Sequence, residues 1–159
     1  MTLKELLKSQ EARLKAEAKA RDLLERLWET AVNELMETIK TWIAESDPEG
    51  LLKLHEGIST LHNHEIDQKP LPDLDIFMGK NHVSIRPIAQ NVLGPRLKPT
   101  AEGEWSGRVD MIGHPYSFQL WLLITKTGEH SWYIRNDRDY SMRPLTKESF
   151  EKAMVELLS

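Results

Sequence analysis

One stretch of sequence dominates the chain, LLERLWETAVNELMETIKTWI at residues 23–43. Its apolar residues recur every three or four positions, which is the period of a helix with one buried face. A stripe of this width predicts a helix that packs against the core of a globular domain. The stripe consists of Leu23, Leu24, Leu27, Trp28, Ala31, Val32, Leu35, Met36, Ile39, Trp42 and Ile43.

The predicted helix extends beyond this stretch in both directions. Residues 2–46 contain neither glycine nor proline and are rich in Ala, Leu, Glu, Lys and Arg, which favour helix most. Thr2 and Glu5 fit a capping box at its start. Pro48 disfavours helical backbone at the residue before it and ends the segment. We therefore predict one long helix over residues 1–46.

The length of this helix suggests a partner chain. A helix of about 44 residues measures about 65 Å, whereas a compact domain of this size is roughly 40 Å across. The start of the helix would overhang its own domain, so we predict that it forms a dimerisation arm against a second copy. A break near Ser9 or a solvated arm are the alternatives. The predicted dimerisation residues are Leu7, Ala12, Ala16 and Ala20.

The rest of the chain predicts strands and two shorter helices. Asp47 and Pro48 fit the start of a second helix over residues 47–62, followed by a polar loop. Residues 74–143 predict an antiparallel meander of five or six strands, with hairpin loops at residues 79–80, 113–116 and 126–128. A C-terminal helix is predicted over residues 146–158. The fold class is therefore α+β, a single domain over residues 1–159 with helices on one face of the sheet.

The hairpin loops also predict which strand residues face each other. They pair Arg108 with Trp121, Trp121 with Tyr133 and Gln119 with Arg135. One face then forms the core, with Trp105, Val109, Met111, Phe118, Leu120, Leu122, Ile124, Trp132 and Ile134. The other face carries Arg108, Asp110, Gln119, Trp121, Leu123, Tyr133 and Arg135.

This second face is the predicted partner-binding surface. Because Trp, Tyr and Arg are the usual anchors of interfaces, we predict that Arg108, Trp121, Tyr133 and Arg135 contact another protein. Two alternatives are that this row only stabilises the sheet, or that the N-terminal helix covers it.

Composition excludes several kinds of site. The chain has no cysteine, which excludes disulfides, thiolate metal sites and a cysteine nucleophile. It has no Gly-x-Ser-x-Gly motif, phosphate loop or Rossmann glycine pattern. Its longest apolar run has five residues, and its first residues alternate charge with leucine, so we expect a cytoplasmic protein. We predict no catalytic residue, metal or cofactor.

Two alternative functions have some support. Residues 76–101 contain no acidic side chain but carry Lys80, Arg86, Arg96 and Lys98, a local excess of four positive charges in a chain of net charge −4. Such a segment suits phosphate contacts and therefore a nucleic-acid-binding protein. His62, His64 and Asp67 could instead form the centre of a metal-dependent hydrolase, but the histidine pair has no third ligand at a diagnostic spacing and a polar linker explains them better.

The sequence favours a non-catalytic protein-interaction module. A helix longer than its domain and a Trp/Tyr/Arg sheet face both indicate binding of another protein, most simply by a homodimer. An adaptor, an assembly factor or an inhibitor would fit. Small inhibitors encoded by mobile elements share this size, acidic charge and lack of motifs.

Overall fold

Two helices flank a run of strands in this chain. The computed structural model describes residues 1–60, 70–90 and 103–159. Helix α1 spans Leu3–Ser46 and helix α2 spans Lys147–Leu158. The strands between them are β1 (Lys53–Thr60), β2 (Pro70–Met78), β3 (Asn81–Gln90), β4 (Gly103–Ile112), β5 (Ser117–Thr125), β6 (His130–Asn136) and β7 (Met142–Pro144).

The strands of the described part form one antiparallel sheet. Each strand pairs with the next, in the order β1 to β7. This confirms the predicted α+β class, the meander and the long N-terminal helix. The sheet has seven strands in the described residues, rather than the five or six that the sequence predicted.

The predicted second helix over residues 47–62 is wrong, because Lys53–Thr60 form strand β1. The Asp47 carboxylate accepts hydrogen bonds from the backbone N–H groups of Leu51 and Leu52, both at 2.8 Å. With Gly50 at φ +70°, this bond pattern closes a turn rather than starting a helix. Strand β1 then pairs over its whole length with β2, from Lys53 opposite Phe77 to Thr60 opposite Pro70.

Helix α1 packs on one face of the sheet through the stripe that the sequence predicted. Its buried residues are Trp28, Ala31, Val32, Leu35, Met36, Ile39 and Ile43. The Trp28 ring lies over Gly107 of β4 and 6.2 Å from the ring of Trp132 in β6. Further along, Lys40 pairs with Glu56 of β1. The helix thus contacts strands from both halves of the sheet.

Helix α2 covers the same face at the other end of the sheet. Its Phe150 ring lies 5.5 Å from that of Trp42 in α1. Asn81, at the turn between β2 and β3, donates to the backbone oxygen of Leu158 at 2.6 Å. The Thr146 side chain caps its start by accepting from the Ser149 N–H at 3.1 Å. Both helices therefore lie on one side, which leaves the opposite side of the sheet without a helix in the described residues.

The first half of α1 packs against nothing in the part of the chain that the structure describes. Every residue from Met1 to Leu23 is exposed, and the first buried residue is Trp28. The predicted capping box is confirmed, since the Glu5 N–H donates to Thr2 Oγ1 at 3.2 Å and the Thr2 N–H donates to Glu5 Oε2 at 3.0 Å. The helix continues without a break at Ser9. We call residues 3–22 the arm; it is about 30 Å long.

No helix in the described residues is both long and apolar enough to cross a membrane.

Candidate functional site

The face of the sheet opposite the helices, here called the far face, carries the predicted partner-binding residues. The structure pairs Arg108 with Trp121, Trp121 with Tyr133, and Gln119 with Arg135, as the sequence predicted. Alternation along a strand places these side chains on one face. Since α1 packs on the opposite face, the structure rules out the alternative in which this helix covers the row.

Trp105 lies on the far face, and its predicted place on the core face is wrong. The pairing of β4 with β5 shifts between Trp105 and Gly107. This β-bulge at Ser106 reverses the alternation before it, so Gly107 takes the core position beneath Trp28 and Trp105 points away from the helices. Its ring lies 5.3 Å from the Tyr133 ring and 6.5 Å from the Trp121 ring, edge to face in both cases.

Trp121 is the enclosed centre of this aromatic group. Only 2% of its surface is exposed, and its indole N–H donates to Gln119 Oε1 at 3.2 Å. The Arg108 guanidinium lies 5.9 Å from its ring centre, close enough for a cation–π contact. Arg108, Tyr133 and Arg135 are partly exposed. Of the four predicted binding residues, these three are accessible to a partner, whereas Trp121 is buried beneath them.

Arg108 and Asp110 form an ion pair beside the aromatic group. Arg108 Nε lies 2.9 Å from Asp110 Oδ1, and Nη2 donates to Oδ2 at 3.3 Å. Burial raises the pKa of Asp110, the Arg108 charge and hydrogen bond oppose that effect, and the negative charge of Asp137 adds to it. The net pKa is above its usual value, so Arg108 only partly compensates for the loss of solvent around this carboxyl group.

A second polar cluster on the far face was missed by the sequence analysis. Asp75 Oδ1 accepts from Ser84 Oγ at 2.6 Å and lies 2.8 Å from His82 Nε2. The His82 ring stacks on Phe77 at 4.3 Å, and Arg86 lies 3.9 Å from the same carboxylate oxygen. The predicted turn at residues 79–80 already implied this register, which places Asp75 opposite Ser84.

The cluster contains Ser, His and Asp but lacks the geometry of a hydrolytic triad. In such a triad one imidazole nitrogen takes the serine proton and the other donates to the carboxylate. Here His82 Nε2 faces both Asp75 and Ser84, at 2.8 and 3.2 Å, and Ser84 is buried with its proton directed at Asp75. This arrangement holds β2 and β3 together and does not activate the serine.

The pKa of Asp75 is lowered overall. Burial alone would raise the pKa, but the hydrogen bonds from Ser84 and His82 and the charge of Arg86 outweigh it. A folded-state pKa below the usual 3.8 means that ionised Asp75 stabilises the fold above that pH. The contribution is lost as the pH falls through the folded-state pKa.

Asp75→Asn should therefore destabilise the protein in a pH-dependent way. We expect the free energy of unfolding to fall by about 1–2 kcal/mol near neutral pH. Below about pH 4 the difference in unfolding free energy between the variant and the unmodified protein should become smaller. Urea unfolding across this pH range measures the effect. Asp73→Asn on the same strand, where Ser59 donates to the carboxylate at 2.7 Å, is the control. A difference in unfolding free energy that stays constant with pH would contradict the stabilising role of ionised Asp75.

Of the seven residues of the two alternative functions, the structure describes Lys80 and Arg86. Lys80 lies in the exposed turn between β2 and β3, and Arg86 is on the far face beside Asp75. Arg96 and Lys98, like His62, His64 and Asp67, lie outside the described residues. Among the residues that are described, no three His, Asp or Glu side chains are placed to hold a metal ion.

The fold and the far face define an α+β protein with a meander sheet, an overhanging helix and an aromatic–arginine surface. Comparison of the chain with protein-family models, with curated proteins and with solved structures found no match.

Proposed function

We propose that this chain is a non-catalytic interaction module that acts by binding another protein, with the arm as its main contact. The observation that carries the proposal is that every residue of the arm is exposed. Its leucines Leu3, Leu7 and Leu14 are each more than half exposed. Exposed apolar residues aligned along a helix are characteristic of a surface that a partner covers.

The arm has two distinct sides. Leu3, Leu7 and Leu14, here called the leucine row, lie on the side that continues the buried stripe through Trp28, since successive residues turn by about 100°. The alanine row of Ala12, Ala16 and Ala20 lies about half a turn away. The predicted dimerisation residues are thus divided between two sides. The leucine row supports the proposal better, because leucine buries more apolar surface than alanine.

The arm carries charges of both signs. It has six basic and four acidic residues, and some pair within the helix, as Arg13 does with Glu17 at 3.0 Å and Lys15 with Glu11 at 3.2 Å. The far face, with Tyr133 and Arg135 partly exposed, offers a second contact to the same or another protein.

Charged substitutions on the two sides of the arm test the proposal. In the Leu7→Glu/Leu14→Glu double variant, we expect at least a tenfold loss of protein binding, because the carboxylates would have to be buried at the contact. Ala12→Glu/Ala16→Glu is the matched control on the other side of the same helix. Affinity capture from the source cell followed by mass spectrometry measures the loss, and circular dichroism checks the helix. Unchanged capture by both variants would refute binding through the arm.

A further inference from the structure

The two edges of the described sheet differ in how they are protected against pairing with another strand. β7 has three residues, Met142–Pro144, and a short edge strand that ends in proline resists such pairing. β1 has eight residues, Lys53–Thr60, without a proline, and pairs with β2 in a continuous register. Every residue from Lys53 to Ile58 is exposed. β1 is therefore an open edge strand.

The backbone of β1 offers hydrogen-bonding groups to another strand. In an antiparallel sheet about half of the N–H and C=O groups of a strand point toward one neighbour and the rest point to the other side. Among the described strands β1 has β2 as its one neighbour, so its outward groups have no strand partner there. An edge of this kind is a template for the addition of a strand.

We infer that β1 pairs with β1 of a second copy of this chain, antiparallel and about a two-fold axis at Glu56, so that the two sheets join into one. A two-fold pairing uses both open edges and leaves only the short β7 edges, so it stops at the dimer. The inference goes beyond the proposed function, because β1 lies outside the arm and each contact can form without the other.

The side chains of β1 on the helix side are arranged symmetrically about Glu56. Leu54 and Ile58 lie two residues to either side of it, and they are 38% and 74% exposed. With the axis at Glu56, each Leu54 lies opposite an Ile58 of the other copy. Apolar residues directly opposite each other stabilise a pair of strands. The pairing therefore covers the exposed Leu54 and Ile58 side chains of both copies.

The far-face side of β1 fits the same register. Asp73 of β2 lies opposite Gly57, and its Oδ1 occupies the place that a Cβ atom of Gly57 would take. Since glycine has no side chain, β1 does not screen this carboxylate from a residue that approaches along the edge. The axis at Glu56 places His55 of the second copy opposite Gly57. Its imidazole N–H can then donate to the Asp73 carboxylate across the glycine.

The charges near the axis limit the strength of the pairing. The two Glu56 side chains lie opposite each other, and like charges in that position are unfavourable. In each copy Lys40 pairs with both Glu37 and Glu56, which leaves one excess negative charge per copy on the helix side. We therefore expect Glu56→Gln to increase the dimer fraction, because it removes the like charges on the axis.

Disulfide trapping tests the register, since the chain has no cysteine of its own. Residues directly opposite each other in an antiparallel pair have Cα atoms about 4.5–5.5 Å apart, within the range of a disulfide. Glu56→Cys lies opposite its own counterpart, so we expect it to form a cross-linked dimer on mild oxidation. A mixture of Leu54→Cys and Ile58→Cys should form the mixed disulfide, measured by non-reducing electrophoresis.

The same two variants taken singly are the matched controls. Their like residues are about 14 Å apart in this register, too far for a disulfide, so each alone should cross-link at least tenfold less than the mixture. Ile58→Cys alone also measures random collision, because Ile58 is 74% exposed. Equal cross-linking of Ile58→Cys alone and of the mixture would overturn the register and the inference.

Light scattering of the cysteine-free chain tests the dimer itself. Ile58→Lys places a charge opposite Leu54 and should reduce the dimer fraction at least tenfold. Ile112→Lys is the matched control and should leave the fraction unchanged, since Ile112 is also an exposed apolar strand residue but lies in β4, in the middle of the sheet.

The outcomes separate this inference from the proposed function. A monomeric mass at high concentration would overturn the pairing of β1, while the variants of the arm would still test the proposed function. A monomer that loses a captured protein only in Ile58→Lys would show that the open edge binds a strand of that protein, which also overturns the assignment to a second copy.

Discussion

We expect Trp121→Ala to lower the free energy of unfolding by about 3–5 kcal/mol. Trp121 is 2% exposed and lies among Trp105, Arg108, Gln119 and Tyr133, so its removal leaves a cavity that strand residues on a fixed backbone cannot fill. The substitution also removes the indole N–H that donates to Gln119 Oε1. Urea unfolding followed by circular dichroism measures the change. The slope of the unfolding free energy against urea concentration (the m-value) should stay the same.

Trp121→Phe provides the matched control, because it keeps an aromatic ring and loses less volume. We expect it to lose clearly less stability than Trp121→Ala. A loss of no more than about 0.5 kcal/mol for Trp121→Ala, the range of ordinary surface substitutions, would contradict the enclosed position of the ring. The result also decides how the far face is tested as a binding surface. If Trp121→Ala unfolds the sheet, a loss of binding in that variant is uninformative, and Arg135→Ala becomes the appropriate probe.

The parts of the fold that were predicted correctly have strong local signals. Helix α1 has a long stripe at helical spacing and a capping box at Thr2, so its propensity and its packing agree. The hairpin between β5 and β6 has a short loop with Gly128 at φ +87°, which fixes the register. The pairings of Trp121 with Tyr133 and of Gln119 with Arg135 follow from that loop alone.

The part that was predicted wrongly, residues 47–62, has an ambiguous local signal. Leu54 and Ile58 are four residues apart, a spacing that places them on the same side of a helix or of a strand. The segment is a strand because it pairs with β2. The sequence did not predict the start of β2, because Pro70 and Pro72 are unfavourable in a strand. Strand β2 pairs with β3 only from Leu74 onward, so among the described strands both prolines pair only with β1, and fewer backbone donors are needed there.

The far face was predicted in outline and missed in detail for a similar reason. Simple alternation assigned Arg108, Trp121 and Tyr133 correctly, but the bulge at Ser106 moved Trp105 to join them. A bulge depends on contacts between strands and on the helix above, and the sequence around Ser106 carries no periodic sign of it. The burial of Trp121 likewise depends on how neighbouring strands pack, which pairing alone does not specify.

Gly107 is the residue on which the contact between α1 and the sheet depends most directly. A Cβ atom at this position would lie 2.3 Å from Trp28 Cζ3 and 2.5 Å from Cε3, well inside contact distance. Trp28 is 3% exposed and its ring is rigid, so it cannot move aside without disturbing Trp132. We expect Gly107→Ala to lower the free energy of unfolding by about 3 kcal/mol, the upper end of the usual range for overpacking.

Gly57→Ala is the matched control for Gly107→Ala, since its added Cβ would also meet an atom at 2.4 Å. That atom is a carboxylate oxygen of Asp73 on the far face, whose side chain can turn aside at the expense of its hydrogen bond from Ser59, so we expect a loss of at most about 1 kcal/mol. A double-mutant cycle identifies the contact itself. In a Trp28→Leu background, Gly107→Ala should lower the free energy of unfolding by less than about 1 kcal/mol, because the indole ring that the new methyl group would contact is absent. An equal loss in both backgrounds would assign the effect to the backbone of the bulge, and the packing of Trp28 on Gly107 would no longer explain why this strand needs a glycine.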